Sequence, residues 1–433
     1  MLKIEFIILQ TTPQILDYHL FTIDFYNMNR NKEFDIIIWG ASGFTGRLVV
    51  AYLFQNYGMS NDLKWAMAGR NKQKLKQVRL EVADNSVPII IADGNDEVSL
   101  KEMIIRTKVI CTTVGPYAIY GSKLVSSCVN HGTDYCDLSG EVQWMRKMID
   151  QHHETAKING VKIVHTCGFD SIPSDMGVYF TQRESQAQTG QPANKIQMRV
   201  AGIRGGISGG TYASLTKVME QAFLDKEIYK IITNPYGLNP KERFEGDDVR
   251  DLNSIIYDEV SKSWIGPFVM AGINTKVVRR SNALSGYIYG KDFRYDEATI
   301  SGKGLKGRIK GYLTVLPLLI MTAKPESFLK KIANKILPKP GEGPTKEQRE
   351  KGFYNLKFYT TLQDGSRALG KVTGDMDPGY GSTSKMLGEA AVCLAKDNLS
   401  NISGVLTPSI AMGDFLLKRL ENKAGLSFSF NKI

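Results

Sequence analysis

Asp35-Ile-Ile-Ile-Trp-Gly-Ala-Ser-Gly-Phe-Thr-Gly46 is the stretch whose reading decides the fold. Ile36–Trp39 is short, apolar and β-branched, as a strand buried on both faces should be. Gly40, Gly43 and Gly46 then turn the chain into an amphipathic run, 47–57, in which Leu48, Ala51 and Tyr52 recur at helical spacing. Strand, glycine turn and helix form the context a dinucleotide fingerprint needs. Glycines let the backbone approach a pyrophosphate, and the free amides at the helix start supply donors and the positive dipole end. Gly40, Ser42, Gly43, Phe44, Thr45 and Gly46 are therefore the first candidate cofactor-binding residues.

The next strand indicates which cofactor. Residues 63–68 read as β and end in Ala68-Gly-Arg70. A site for NAD would place a carboxylate there to hold the ribose 2′-hydroxyl. No Asp or Glu is available, and Arg70 can instead pair bidentately with a 2′-phosphate. The expectation is NADP.

Working outward, strands are predicted over 35–39, 63–68, 88–91, 108–113, 134–137 and 161–165, alternating with helices over 44–57, 71–81, 97–105, 121–131 and 143–159. Such alternation implies a doubly wound parallel sheet, the Rossmann arrangement. Asp93 follows the third strand, where side chains approach an adenine; Gly115, Pro116 and Tyr117 follow the fourth, at the carboxyl edge where ligands bind. Asp170 and Ser171 follow the sixth, where they can cap the next helix or reach a substrate. His165 and Cys167 share a strand face, which admits a nucleophilic pair that hydride transfer does not need.

After about residue 190 the pattern changes. Residues 196–203, 208–212 and 284–289 read as antiparallel strand, 267–278 and 354–370 as helix or strand, and 379–395 as a helix. The expected organisation is an N-terminal extension over 1–33, a Rossmann domain over 34–190 and a second mixed-sheet α/β domain over 191–378. Helices over 379–433 then return to the first domain. Five scattered cysteines without paired spacing argue for reduced thiols, a cytoplasmic compartment and no metal framework. Adjacent His152 and His153 face different ways and read as a surface pair.

The net charge of +11 is uneven. Residues 303–339 hold nine Lys/Arg against one acid, Glu326, a net of +8. Residues 313–321 are an apolar run broken by Pro317, too short to span a bilayer, for which about 20 residues are needed. Leu329, Ile332, Ala333, Ile336 and Leu337 follow as one helical stripe flanked by Lys330, Lys331 and Lys335. The segment reads either as core with a solvated lysine face or as a peripheral dock on a membrane or lipid droplet. No nucleic-acid partner is expected.

These residues resemble the saccharopine dehydrogenase-like oxidoreductases, most closely the trans-acting enoyl reductase branch. The resemblance rests on Gly40-Ala-Ser-Gly-Phe-Thr-Gly46, Ala68-Gly-Arg70, Val114-Gly-Pro-Tyr117, Gly168-Phe-Asp-Ser-Ile-Pro173 and Ser208-Gly-Gly-Thr211. Later blocks extend it: Gly266-Pro-Phe-Val-Met-Ala271, Lys339-Pro-Gly-Glu-Gly-Pro344, Gly379-Tyr-Gly-Ser-Thr-Ser-Lys-Met386 and Gly404-Val-Leu-Thr-Pro408. It covers nearly everything after Asp35 and implies a Rossmann domain, a mixed α/β domain and NADP. Bacterial relatives are associated with double bonds of polyketide-derived lipids and animal relatives with lipid droplets. The amino-acid substrate of true saccharopine reductases does not carry over with the fold.

Three functions follow. The first is NADPH-dependent reduction of an enoyl or keto group of a lipid, with Tyr117 as proton donor and Asp170 and Ser171 orienting it or binding substrate. The second is a non-catalytic NADP-binding scaffold or sensor on lipid surfaces. The third is a saccharopine-type amino-acid dehydrogenase, which would need arginines such as Arg199, Arg204, Arg279 and Arg280 to converge on substrate carboxylates. A homodimer through the second sheet is a further expectation.

Overall fold

In the computed structural model, which describes residues 32–205, 209–243, 246–322, 327 and 343–433, the opening apolar run is strand β1 (Phe34–Trp39), buried at all six positions. The other strands are β2 (Trp65–Gly69), β3 (Ile89–Ile91), β4 (Thr107–Thr112), β5 (Asp134–Cys136), β6 (Lys162–Val164) and β7 (Lys195–Arg204). They continue as β8 (Ile256–Asp258), β9 (Ser263–Gly266), β10 (Arg294–Gly302), β11 (Phe353–Thr361), β12 (Arg367–Gly374), β13 (Gly404–Leu406) and β14 (Leu426–Lys432).

The first sheet runs β13-β6-β5-β4-β1-β2-β3, parallel throughout, with helices on its faces. Continuous burial of β1 and β2 is what such a two-sided sheet requires. Every element predicted for 35–165 is present. In the helix Phe44–Tyr57 the buried residues are Gly46, Val49, Val50, Tyr52 and Leu53, rather than a stripe through Leu48 and Ala51. Tyr52 is drawn in because the helix Thr383–Lys396 covers a second side: its hydroxyl donates to buried Glu389 at 2.7 Å, and Arg419 bridges Glu389 and Asp397.

The second sheet runs β14-β12-β11-β7-β10-β9-β8. Among the described residues only β7 and β10 pair in parallel in this sheet, so it is mixed. Tyr354, Leu356, Phe358 and Thr360 alternate inward along β11, against the helix Ile172–Thr189.

Three expectations change here. Residues 209–212 begin the helix Gly209–Leu224, and Leu284 ends the helix Ala271–Leu284 rather than opening a strand. Short windows of apolar and aromatic residues fit either period. The tail contributes strands as well as helices: β13 extends the first sheet beside β6, and β14 closes the second beside β12. The chain end thereby ties both sheets together.

The apolar run 313–321 lies in one helix, Gly304–Thr322, which continues through Pro317. The predicted stripe 329–337 and most of the extension 1–33 lie outside the described residues. Among the described residues no helix is long and apolar enough to cross a membrane. All five cysteines are buried and unpaired.

Candidate functional site

A cleft of about 360 Å³ opens at the carboxyl ends of β1, β2, β3 and β4. Trp39, Gly40, Ser42 and Gly43 form one wall; Gly69, Arg70, Asn71 and Lys74 a second; Asp93, Gly94 and Asn95 a third; Thr113, Val114, Gly115 and Tyr120 close it. This is where an open α/β sheet binds its ligand.

The first wall is the glycine turn. Gly40 has φ +86, and a β-carbon there would strike Val114. A β-carbon at Gly46 would overlap the carbonyl oxygen of Gly40 and crowd the Cα of Ala41. The helix Phe44–Tyr57 therefore starts in backbone contact with the end of β1. Among the described residues no side chain caps that start, so its first amides are available to an anionic ligand. Arg70 is exposed and, among the described residues, makes no ion pair or hydrogen bond. Lys74 stands one turn further on, on the helix Lys72–Val82, whose start is capped by the Asn71 side chain at 3.0 Å. The cleft thus has an uncapped helix start at one wall and two cations at another, a match for the pyrophosphate and 2′-phosphate of NADP.

Of the residues expected at the cofactor, Gly40, Ser42, Gly43, Arg70, Asp93 and Gly115 line the cleft. Phe44, Thr45, Gly46 and Pro116 do not. The Phe44 ring edges onto Tyr380 at 4.7 Å beneath the Arg349 guanidinium; Gly46 is buried under Gly40; Thr45 is half-buried in the first helical turn; and Pro116 precedes the short helix Tyr117–Tyr120. Lys74, Asn71 and Asn95 were not anticipated. Lys74 is a second cation, in the first turn of the helix that follows Arg70.

Tyr117 is corrected by its surroundings. Its ring is buried, stacked on Trp144 at 5.6 Å, and its hydroxyl donates to the Thr112 carbonyl at 3.3 Å while accepting from the Leu138 amide at 3.1 Å. Burial pushes the phenol well above its ordinary range, with Asp137 adding to the effect. Tyr117 is therefore a strut between the ends of β4 and β5, off the cleft wall, rather than a proton donor. Tyr117→Phe strands a buried amide and a carbonyl, so unfolding should cost about 1–3 kcal/mol less, with NADPH affinity unchanged. Thermal unfolding with and without NADPH measures both.

The residues after β5 and β6 follow along the carboxyl edge of the same sheet, outside the residues that line the cleft. Buried Glu141 accepts from the amides of Tyr117 (2.8 Å) and Ala118 (2.9 Å) and from Ser214, holding the loop that carries Gly115. A β-carbon at neighbouring Gly140 would lie 3.6 Å from Asp170 Oδ2. Asp170 is half-buried and makes no hydrogen bond or ion pair among the described residues. Desolvation pushes its carboxyl up to about 7. Ser171 is buried and donates to Asn274 Oδ1 at 3.1 Å. Asn274 in turn donates to Glu297, which also accepts from Tyr295 and is pushed by burial to about 7. Ser171 thus pins the Asp170 loop to the second domain.

Two alternatives that the sequence left open meet the geometry here. His165 Nδ1 is 2.7 Å from Asp137, and the Cys167 thiol donates to the Val164 carbonyl with burial holding it protonated, so no Cys–His pair exists. Three of the four arginines are taken up separately, and the fourth, Arg204, is exposed at the end of β7. Arg199 is paired with Asp258 and Asp296, Arg279 with Asp248, and Arg280 donates to the carbonyls of Leu238 and Val405. They are structural ties rather than a site for substrate carboxylates.

Comparison with known proteins agrees with this architecture. Residues 36–164 match the saccharopine dehydrogenase NADP binding domain. A trans-acting enoyl reductase of Mycobacterium ulcerans is 38% identical over 413 residues, covering 90% of this chain and 96% of that protein. One from Mycobacterium tuberculosis is 36% identical over 404 residues, with the same coverage. In fold, apo saccharopine dehydrogenase from Saccharomyces cerevisiae superposes with a TM-score of 0.52 at 11% identity, covering 92% of this chain and 100% of that one. With such identity sustained over nearly its whole length, the chain belongs to the trans-acting enoyl reductase branch of the saccharopine dehydrogenase-like oxidoreductases.

Proposed function

We propose that this protein is an NADPH-dependent reductase acting on an enoyl or keto group of a lipid. The reading is supported by a cleft lined by a glycine turn and two cations at the carboxyl edge of the sheet, and by Asp170, farther along that edge, whose carboxyl is pushed up to about 7. Gly40, Ser42, Gly43 and the helix start would hold the pyrophosphate, and Arg70 with Lys74 the 2′-phosphate. Once bound, NADPH supplies a hydride to the β-carbon of an activated double bond. The chain must then deliver one proton to the α-carbon or the enolate oxygen. We assign that role to Asp170, since desolvation holds its proton where an ordinary aspartate would have lost it. Ser171, Asn274 and Glu297 keep that loop in position from the second domain.

The enoyl group is supported by the name the relatives carry, trans-acting enoyl reductase; a dicarboxylate amino acid is disfavoured because Arg199 and Arg279 are paired internally, and the lipid class is our own proposal. The test is untargeted lipid profiling of the purified protein with NADPH deuterated at the transferred position. One deuterium and one solvent hydrogen should enter the same product. If no lipid gains the pair while NADPH binds, the protein is a binding module and the reductase reading fails.

Cofactor choice is tested separately. Arg70→Ala should weaken NADPH by roughly tenfold to a hundredfold and leave NADH unchanged, since only the phosphorylated cofactor loses a charge-assisted pair. Fluorescence titration of both cofactors reads the difference. Equal weakening would mean that Arg70 does not contact the phosphate.

A further inference from the structure

The helix Gly304–Thr322 is amphipathic the wrong way round. Its inward stripe is Gly307, Gly311 and Thr314, and it lies against β9 and β10 at backbone distance. A β-carbon on Gly307 would overlap Gly302, one on Gly311 would press on Ile255 and Ser301, and one on Gly266 would strike Thr314. So close an approach leaves no room beneath the helix for large side chains. They lie outside instead. Leu305, Ile309, Tyr312, Leu313 and Leu316 recur at i, i+4, i+7, i+8 and i+11 and are 46–71% exposed. A core-facing helix would bury this stripe.

The charge around the stripe is of one sign. Lys303, Lys306, Arg308 and Lys310 are all exposed, and residues 303–322 contain no acid. Arg308 is held over the Trp264 ring at 5.1 Å, so at least one of these cations has a fixed place. A second copy of the chain seated here would bring two such cationic turns together, which is unfavourable. Phosphate headgroups complement them, and the acyl boundary accepts the leucines. The helix is charged through its first two turns and cannot cross a bilayer.

We propose that Gly304–Thr322 is an interfacial helix that lays this protein on an anionic lipid membrane, in the plane of the headgroups. The proposal stands independently of the reductase reading.

Flotation of the full chain with vesicles of phosphatidylcholine plus phosphatidylserine, against phosphatidylcholine alone, tests it. Wild type should float with the anionic vesicles and lose binding as salt screens the charges over about 8 Å at physiological strength. Ile309→Glu with Leu313→Glu should lower vesicle partitioning by roughly tenfold or more, with NADPH affinity and Tm unchanged. Lys306→Glu with Lys310→Glu should remove the preference for phosphatidylserine. The proposal is overturned if wild type does not float, or if both double variants float like wild type. It is equally overturned if wild type is a dimer that Ile309→Glu with Leu313→Glu converts to monomer, which would assign the stripe to self-association.

Discussion

Asp170→Asn should lower turnover by about 10²–10⁴-fold while NADPH affinity stays within about twofold. The amide keeps the shape of the carboxyl and cannot give up a proton. The pH profile fixes the sign. A donor raised to about 7 is in its working form below that pH, so kcat/KM should be flat on the acid side and fall about tenfold per unit above it. Buried Glu297, also raised to about 7, would produce a similar limb if it were the donor. It is saturated by Tyr295, Ser174 and Asn274, whereas Asp170 has no such partners among the described residues. Glu297→Gln should therefore retain the alkaline limb.

Stability gives a second readout, independent of any substrate. A carboxyl whose folded pKa is raised contributes stability that is complete below its unfolded value, near 4, and lost as pH rises through about 7. Asp170→Asn removes that loss, so its Tm should exceed wild type above about pH 8 and not in acid. Turnover within tenfold of wild type, or parallel Tm curves, would place the proton elsewhere.

How much of this was legible follows from what is local. The first sheet reads off the sequence because β1 and β2 are apolar through and through and glycines mark their ends. Arg70 was legible for the same reason: the chemistry lies in which residue type ends a strand. The second domain was harder. In the helix Ala271–Leu284, Asn274, Thr275, Lys276, Arg279, Arg280, Ser281 and Asn282 are all buried, so no apolar period announces it. Their partners, among them Asp248, Asp251, Asp175 and Glu297, come from distant parts of the chain. Tyr117 follows the same logic. Its position after β4 suggested the cleft, and only the Leu138 amide and the Trp144 ring, both beyond β5, show that it is taken up in the core. The raised carboxyl of Asp170 has no local signature, because desolvation is a property of the assembled fold.

The second large effect belongs to the glycine turn. Gly46→Ala should weaken NADPH by more than about a hundredfold and lower Tm, whereas Gly43→Ala should do much less of either. The two glycines differ in what a methyl group would meet. At Gly46 it would overlap the Gly40 carbonyl oxygen and crowd Ala41, and both are backbone that no rotamer change can move. Relief requires the helix Phe44–Tyr57 to back away from β1, taking its free amides away from the cleft. At Gly43, which is exposed, the nearest atom would be 3.3 Å away, a contact that a few tenths of an ångström relieves. Gly43 forms the cleft wall directly, so any loss there comes from crowding the ligand and should appear in NADPH affinity without a fall in Tm. Titration calorimetry with NADPH, paired with thermal unfolding of the cofactor-free protein, separates the two. If Gly46→Ala binds NADPH like wild type, the helix start is not what holds the pyrophosphate, and binding must rest on Arg70 and the wall formed by Thr113, Val114 and Gly115.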